Sequence, residues 1–282
     1  MDYKNIVIST LDLEKSNYLN KLVNQLSDSF PINFNSKELL LKYKDNHKGY
    51  SIHSLLILND NVVAAFTCMP RKIGNYSILV GCDTFVDRNH RKNIFILKDL
   101  YHSLLKSSFN ENYNIVLGVP NEKASLYWDK IAKWKKKNEL DIVVFPVING
   151  FFKYFFAAIY FVIVLLFFSK TENLIYQNIK QLNKFKDYIS INKVYTKNYF
   201  EFGKNVTYMF GFSNNLRLEL ASNIFKSIIQ NGNTLILIGN KNPLRKLRVN
   251  KLIKRKLNVH IEYLNDLSLE NISFDLAILD NR

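Results

Sequence analysis

Cysteine is almost absent from this chain of 282 residues: Cys68 and Cys82 are the two it has. Both sit in apolar, strand-like surroundings, where cysteine behaves as a small hydrophobe, which argues against a disulfide scaffold. A secretory hydrophobic region is also missing. After Met1-Asp2-Tyr3-Lys4-Asn5 the short Ile-Val-Ile run gives way to charges, so export by that route is not indicated and the expected location is cytoplasmic. No Cys/His/Asp cluster has metal spacing, and there is no Walker sequence, hydrolase nucleophile elbow or dinucleotide glycine fingerprint. Without a zinc-finger, helix-turn-helix or RNA-binding signature, nucleic acid is poorly supported as a partner. Acidic residues are scarce, 24 against 39 Lys and Arg, for a formal charge of +15. That excess favours an anionic partner: an acidic membrane surface or a phosphate-bearing cofactor.

Apolar and aromatic residues are plentiful, enough for a large core in one or two domains. Apolar spacing predicts an opening helix from Leu13 to Leu26 and a shorter one over Ser36 to Tyr43. A hairpin is expected from Leu55 to Met69, turning at Asn59-Asp60-Asn61, then a strand from Ser77 to Val86 bent near Gly81. A helix over Ile94 to Phe109, a strand at Ile115 to Val119, a helix over Glu122 to Lys133 and a strand over Asp141 to Val147 complete a mixed α/β unit.

Phe151 to Phe168 contains a single charge, Lys153. As a helix it would rise about 27 Å against a hydrocarbon core of roughly 30 Å, so length alone does not exclude a span. Three readings stand: an interfacial helix on an anionic inner membrane face, a core helix between two lobes, and a true span. Lysines on both flanks favour the interfacial one. Beyond a polar helical connector, Thr171 to Ile189, the pattern alternates again: strand at Val206 to Phe212, helix over Leu216 to Ile229, strand at Thr234 to Ile238. A basic helix is expected over Lys241 to Leu257, then strands at Val259 to Leu264 and Phe274 to Leu279.

One segment suggests chemistry: Val86-Asp87-Arg88-Asn89-His90-Arg91-Lys92-Asn93-Ile94-Phe95-Ile96-Leu97, a basic turn from strand to helix. The unbonded N–H groups of a helix start bind phosphate, and neighbouring Arg or Lys adds attraction. Arg91 and the residues after it resemble the Arg-x-x-Gly-x-Gly/Ala motif of the GCN5-related N-acetyltransferase superfamily, particularly bacterial members associated with sugar or surface-polysaccharide modification. Leu117-Gly118-Val119-Pro120-Asn121 is similar to the strand and Pro-Asn turn of that branch, and Lys42-Tyr43 through Gly49 looks like an upstream motif, with His47 where the family has proline.

The resemblance implies an acetyltransferase-like domain over 1–147, a hydrophobic helix and connector over 148–190, and a degenerate second lobe over 191–282. It implies transfer of an acetyl group from acetyl-CoA to an amine or hydroxyl of a sugar or glycan precursor. Val86, Arg88, Arg91, Lys92, Asn93, Ile94, Phe95, Ile96 and Asn121 would hold the cofactor. Ile94 and Ile96 replace small residues, and their branched side chains crowd the approach. Asp83 is the candidate general base, with His47 and His90 as rivals. Trp128 stands at the position of the family's acid tyrosine, which leaves the neighbouring Tyr127 as the candidate acid. The alternative is a non-catalytic membrane-associated, carbohydrate-binding or partner-binding protein on the same scaffold.

Overall fold

Local capping and hydrophobic spacing account for the first elements. Strand β1 (Lys4–Ser9) enters helix α1 (Thr10–Lys15), where the Ser9 side chain accepts from the Asp12 N–H. Helix α2 (Tyr18–Ser29) buries Leu19, Leu22, Val23 and Leu26, one stripe of its surface. The opening helix is therefore two, because Ser16 closes α1 by donating its hydroxyl to the Leu13 carbonyl at 2.8 Å. Helix α3 (Ser36–Lys44) is capped by Asn35, which accepts from the Lys37 N–H. The computed structural model of the chain describes residues 3–30, 33–73, 76–107, 109, 113–130, 132–145, 147, 150–167, 189–191, 194–201, 204–210, 217–231, 234–239 and 253–264.

Strands β2 (Ile52–Leu58) and β3 (Asn61–Ile73) form the expected hairpin. Asn59 and Asp60 both take positive φ, 48° and 62°, as a two-residue turn matched to strand twist requires. Strand β4 (Tyr76–Val86), helix α4 (Ile96–Lys106), strand β5 (Ile115–Gly118) and helix α5 (Glu122–Lys130) follow. After them come β6 (Lys135–Phe145), α6 (Phe152–Phe167), β7 (Ile189–Ile191), β8 (Val194–Glu201), β9 (Lys204–Phe210), α7 (Arg217–Asn231), β10 (Thr234–Gly239) and β11 (Ile253–Tyr263).

The chain divides into two compact units, the first built on Met1–Lys136 with His260–Ser268 returning to it, the second on Lys137–Val259. In the first, the strand order is β1-β2-β3-β4-β5-β11; β4 and β5 run parallel and the other pairs antiparallel. Helix α2 packs on β3 and β4, and α4 packs on β1, β2 and β3. In the second unit the order is β6-β10-β9-β8-β7, with β9 and β10 parallel, and α6 lies against α7.

The basic run from Lys241 was expected to be helical to Leu257. Instead Lys254, Arg255 and Lys256 lie on strand β11, and 241–252 lie outside the described residues. A lysine- and leucine-rich run satisfies helical spacing locally, whereas strand pairing with partners distant in sequence decides it globally. The polar connector over 171–188 and the strand expected at Phe274 to Leu279 also lie outside the described residues.

Two clusters hold the first unit together. On one face of the sheet Phe66, Tyr101, Trp128 and Trp134 form an aromatic core in which the two indoles stack at 4.5 Å. On the other face His53, fully buried, sits in a hydrogen-bonded chain: Nε2 is 3.0 Å from the Thr10 hydroxyl and Nδ1 is 3.0 Å from the Thr67 hydroxyl. Thr10 in turn donates to the Ser51 carbonyl and accepts from the Ser51 N–H.

Burial lowers the pKa of His53 from 6.5 to about 3. The folded ring therefore stays neutral where the unfolded chain takes up a proton, and unfolding binds protons. The stabilisation is complete above pH 6.5 and is lost as pH falls toward 3, by roughly 3 kcal/mol between pH 6.5 and 4. Thermal unfolding followed from neutral to acidic pH should show this slope. His53→Gln should unfold at lower temperature near pH 7 and show a flatter acid dependence.

Candidate functional site

Pairing between β4 and β5 stops at Gly81 opposite Gly118. Strand β4 continues to Val86, held among the described residues by β3 alone, while β5 ends and the chain turns into α5. The two strands part, so among the described residues the β4 backbone beyond Gly81 has no strand partner on this side, although the Cys82 carbonyl accepts from the Thr84 hydroxyl and the Val86 carbonyl from Arg91. Close packing accounts for Gly118 at the fork, while Gly81 has room for a methyl in ordinary contact. A Cβ on Gly118 would stand 3.1 Å from the Trp134 ring, and one on Gly81 3.4 Å from Phe66. Asn121 begins α5 by accepting from the Ala124 N–H at 2.9 Å, so its amide side chain serves as the helix cap.

The bend expected at Gly81 occurs two residues later. Thr67 pairs with Cys82 and Ala65 with Phe85, so Asp83 and Thr84 together face Phe66 in a β-bulge. Asp83 absorbs the extra residue at φ 43°, a left-handed conformation that aspartate tolerates better than most residues. The bulge turns its carboxylate toward α3, where Lys42 Nζ is 2.9 Å from both Oδ1 and Oδ2. The pair is largely withdrawn from solvent, with 18% of the lysine side chain and 12% of the aspartate exposed. Beside it the buried Tyr43 hydroxyl lies outside direct hydrogen-bonding geometry. Burial first, and then the charge of Asp83, push its pKa well above the ordinary value. The same two causes raise the Cys82 thiol, so Cys82 is not a thiolate nucleophile at neutral pH.

The basic turn begins where Asp87 accepts from the Asn89 N–H at 2.9 Å and opens a short 3-10 turn, Arg88–His90. Arg91 donates Nε to the Val86 carbonyl at 2.8 Å, fixing its stem against the end of β4. Arg88, Arg91, Lys92 and Asn93 are exposed, and the Asn93 side chain accepts from the Phe95 N–H at 3.1 Å. Helix α4 has no side-chain cap at its start. Asn93 takes up the Phe95 N–H with its side chain and the Ile96 N–H with its carbonyl at 3.4 Å, so the attraction for an anion at this helix start comes chiefly from the basic surface beside it. The two isoleucines behave differently. Ile96 is 3% exposed and turns into the core, so it leaves the entrance clear, whereas Ile94 and Phe95 are 51% and 54% exposed and border it.

Tyr127 lies half-buried on α5, close to that first turn. Burial raises its pKa to about 12, against the opposing pull of the Lys98 backbone N–H, and Asp99 adds to the rise. It therefore holds its proton at neutral pH. Trp128 is buried in the aromatic core against Trp134 and Phe66. Side chains alternate across a strand, and Phe66 faces that aromatic core while Thr67 faces His53. Asp83, paired with α3, belongs to the Thr67 face; Tyr127 belongs to the face of α4 and α5. The two candidates approach the fork from opposite sides of the sheet.

His90 is bound 3.0 Å from the Tyr3 hydroxyl through Nδ1, and His47 is exposed in the turn after α3. Lys42 and Tyr43 matter more than their sequence suggested: they were legible as a motif, but nothing local announces an ion pair with a residue 41 positions away.

No family model matches the chain, and no curated protein matches it. Solved structures do. It is similar to a GCN5-related N-acetyltransferase from Kribbella flavida at 12% identity and TM-score 0.53, over 93% of this chain and 72% of that one. A second, from Anabaena variabilis, is 11% identical at TM-score 0.52, over 94% and 73%. A tandem GNAT protein of the clavulanic acid biosynthesis pathway is 9% identical at TM-score 0.55, over 95% of this chain and 100% of that chain. The chain has the mixed α/β fold of GCN5-related N-acetyltransferases.

The Lys42–Asp83 pair should couple the two side chains. Lys42→Met leaves a largely buried carboxylate without its cation and should cost about 1–3 kcal/mol, less than a fully buried pair because some water remains. Added to Asp83→Asn, the same change should cost clearly less. Denaturant unfolding of the four proteins measures the difference, and simple additivity would show the pair to be energetically idle.

Proposed function

We propose that the protein transfers an acetyl group from acetyl-CoA to an amine or hydroxyl of a sugar or glycan precursor. The observation that carries this reading is the parting of β4 and β5 at Gly81 and Gly118, beside a basic turn and an uncapped helix start. The β4 edge beyond the fork suits the amide-bearing arm of the cofactor, and the side chains of Arg91, Lys92 and Arg88 suit its phosphates, with Asn93 to Ile96 forming the floor of the same entrance. Ile94 and Phe95 supply an apolar rim to the same entrance. The sugar or glycan acceptor rests on the resemblance of the segments around Arg91 and Asn121 to that bacterial branch. The partner set proposed with it includes an anionic membrane surface.

When bound, acetyl-CoA supplies the acetyl group as an activated thioester. The chain's own residues handle protons and position. An acceptor amine arrives as an ammonium with no lone pair to attack, so a base must take its proton, and we take Asp83, in the bulge just beyond the fork, as that base. Tyr127, protonated at neutral pH, can supply a proton from the opposite side of the sheet. Lys42 holds the Asp83 carboxylate in position through both oxygens.

A non-catalytic scaffold is the second reading, favoured by Trp128, which sits in the core where the family acid would stand. Calorimetry separates the two. Wild type should bind acetyl-CoA, Arg91→Glu should weaken that binding at least tenfold, and Asp83→Asn should bind normally while losing most acetyl transfer to nucleotide-linked aminosugars. Absence of acetyl-CoA binding by folded wild type would remove acyl transfer.

A further inference from the structure

Helix α6 is apolar on both sides, and among the described residues one side is packed while the other is exposed. Ala157, Tyr160 and Val164 are buried, as are Ala221, Ile224 and Ile228 of α7, the helix it packs against. Phe161 meets Phe225 edge-on at 6.1 Å, and Lys153 donates to the Ile229 carbonyl at 2.8 Å. At about 100° per residue, Phe151, Phe155, Val162 and Leu166 fall together on the opposite side of α6. They are 86%, 61%, 50% and 63% exposed, with Phe152 and Tyr154 beside them at 61% and 53%. Soluble surfaces rarely leave such a contiguous apolar face open without a use.

We propose that this outward face of α6 docks the protein on an anionic lipid bilayer, with the helix lying in the plane of the interface. The proposal deepens the membrane partner named above by assigning it a surface. Charge selects the occupant. Helix α6 carries no acidic residue, Lys226 is exposed on α7 next to the half-exposed Phe225, and the whole chain is at +15. A second copy would set two chains of +15 each against one another, and one helical stripe is small beside the roughly 800 Å² per partner of a stable interface. A lipid surface meets both conditions: anionic head groups take the lysines, and aromatic rings settle at the boundary of head group and acyl chain. One-sided packing suits a helix lying flat in the interface, because the side of α6 against α7 is buried while the opposite side is exposed, and among the described residues no helix is long and apolar enough to cross a membrane.

Flotation of the full chain with vesicles of phosphatidylglycerol and phosphatidylethanolamine tests this, with pure phosphatidylcholine vesicles as the comparison. Wild type should float with the anionic vesicles, at least tenfold less with phosphatidylcholine, and less in high salt. Phe155→Ser combined with Val162→Ser should lower binding at least tenfold while circular dichroism and unfolding temperature match wild type. As a check independent of that variant's folding, Phe155→Trp should gain emission quenched by brominated lipid; no quenching overturns the docking face. Wild type that ignores anionic vesicles removes the membrane partner itself. Wild type that binds while the serine variant binds equally well keeps the partner and overturns α6 as its surface. Light scattering that shows a dimer abolished by the serine variant, with vesicle binding unchanged, assigns the face to a second copy instead.

Discussion

Everything proposed for the first unit depends on a fork in a sheet. Two parallel strands cannot separate without leaving backbone donors and acceptors unpaired, and such groups are costly unless water or a ligand meets them. The fork is maintained from both sides. Trp134 and Phe66 press close to Gly118 and Gly81 where pairing ends, and just beyond it the bulge at Asp83 redirects β4. A side chain at Gly118 would press on the Trp134 ring of the stacked core, so the opening and the aromatic packing constrain one another there.

The bulge explains why a carboxylate stands where it does. A regular strand would alternate Asp83 to the face opposite Cys82. The extra residue and the left-handed backbone return it to the side of α3, within reach of Lys42 and Tyr43. A strained conformation of this kind persists because the surroundings over-determine it, here through the ion pair and the β3 ladder. The same geometry places Tyr127 across the sheet, so an acid and a base can serve one opening without neutralising each other.

Element types in the first unit were largely legible. Apolar stripes marked α2 and α4, alternation marked β2 to β4, and Asn59-Asp60 marked the hairpin turn. Two errors have physical causes. The helix from Leu13 was read through Ser16, whose hydroxyl ends α1 by a bond that spacing does not reveal. The basic run to Leu257 was read by period alone, although Lys254 to Lys256 belong to a strand whose partner is far away in sequence.

The sequence by itself determined the charge excess, the hydrophobic helix, the basic turn before α4 and the candidate carboxylate, because these are properties of composition and of near neighbours. Tertiary structure alone decided that β4 and β5 part at two glycines, that Ile96 turns inward while Ile94 does not, that Lys42 clasps Asp83, and that α6 uses one apolar face and leaves the other open. Each of these depends on which distant segments meet, and pairing between residues tens of positions apart leaves no local periodicity to read.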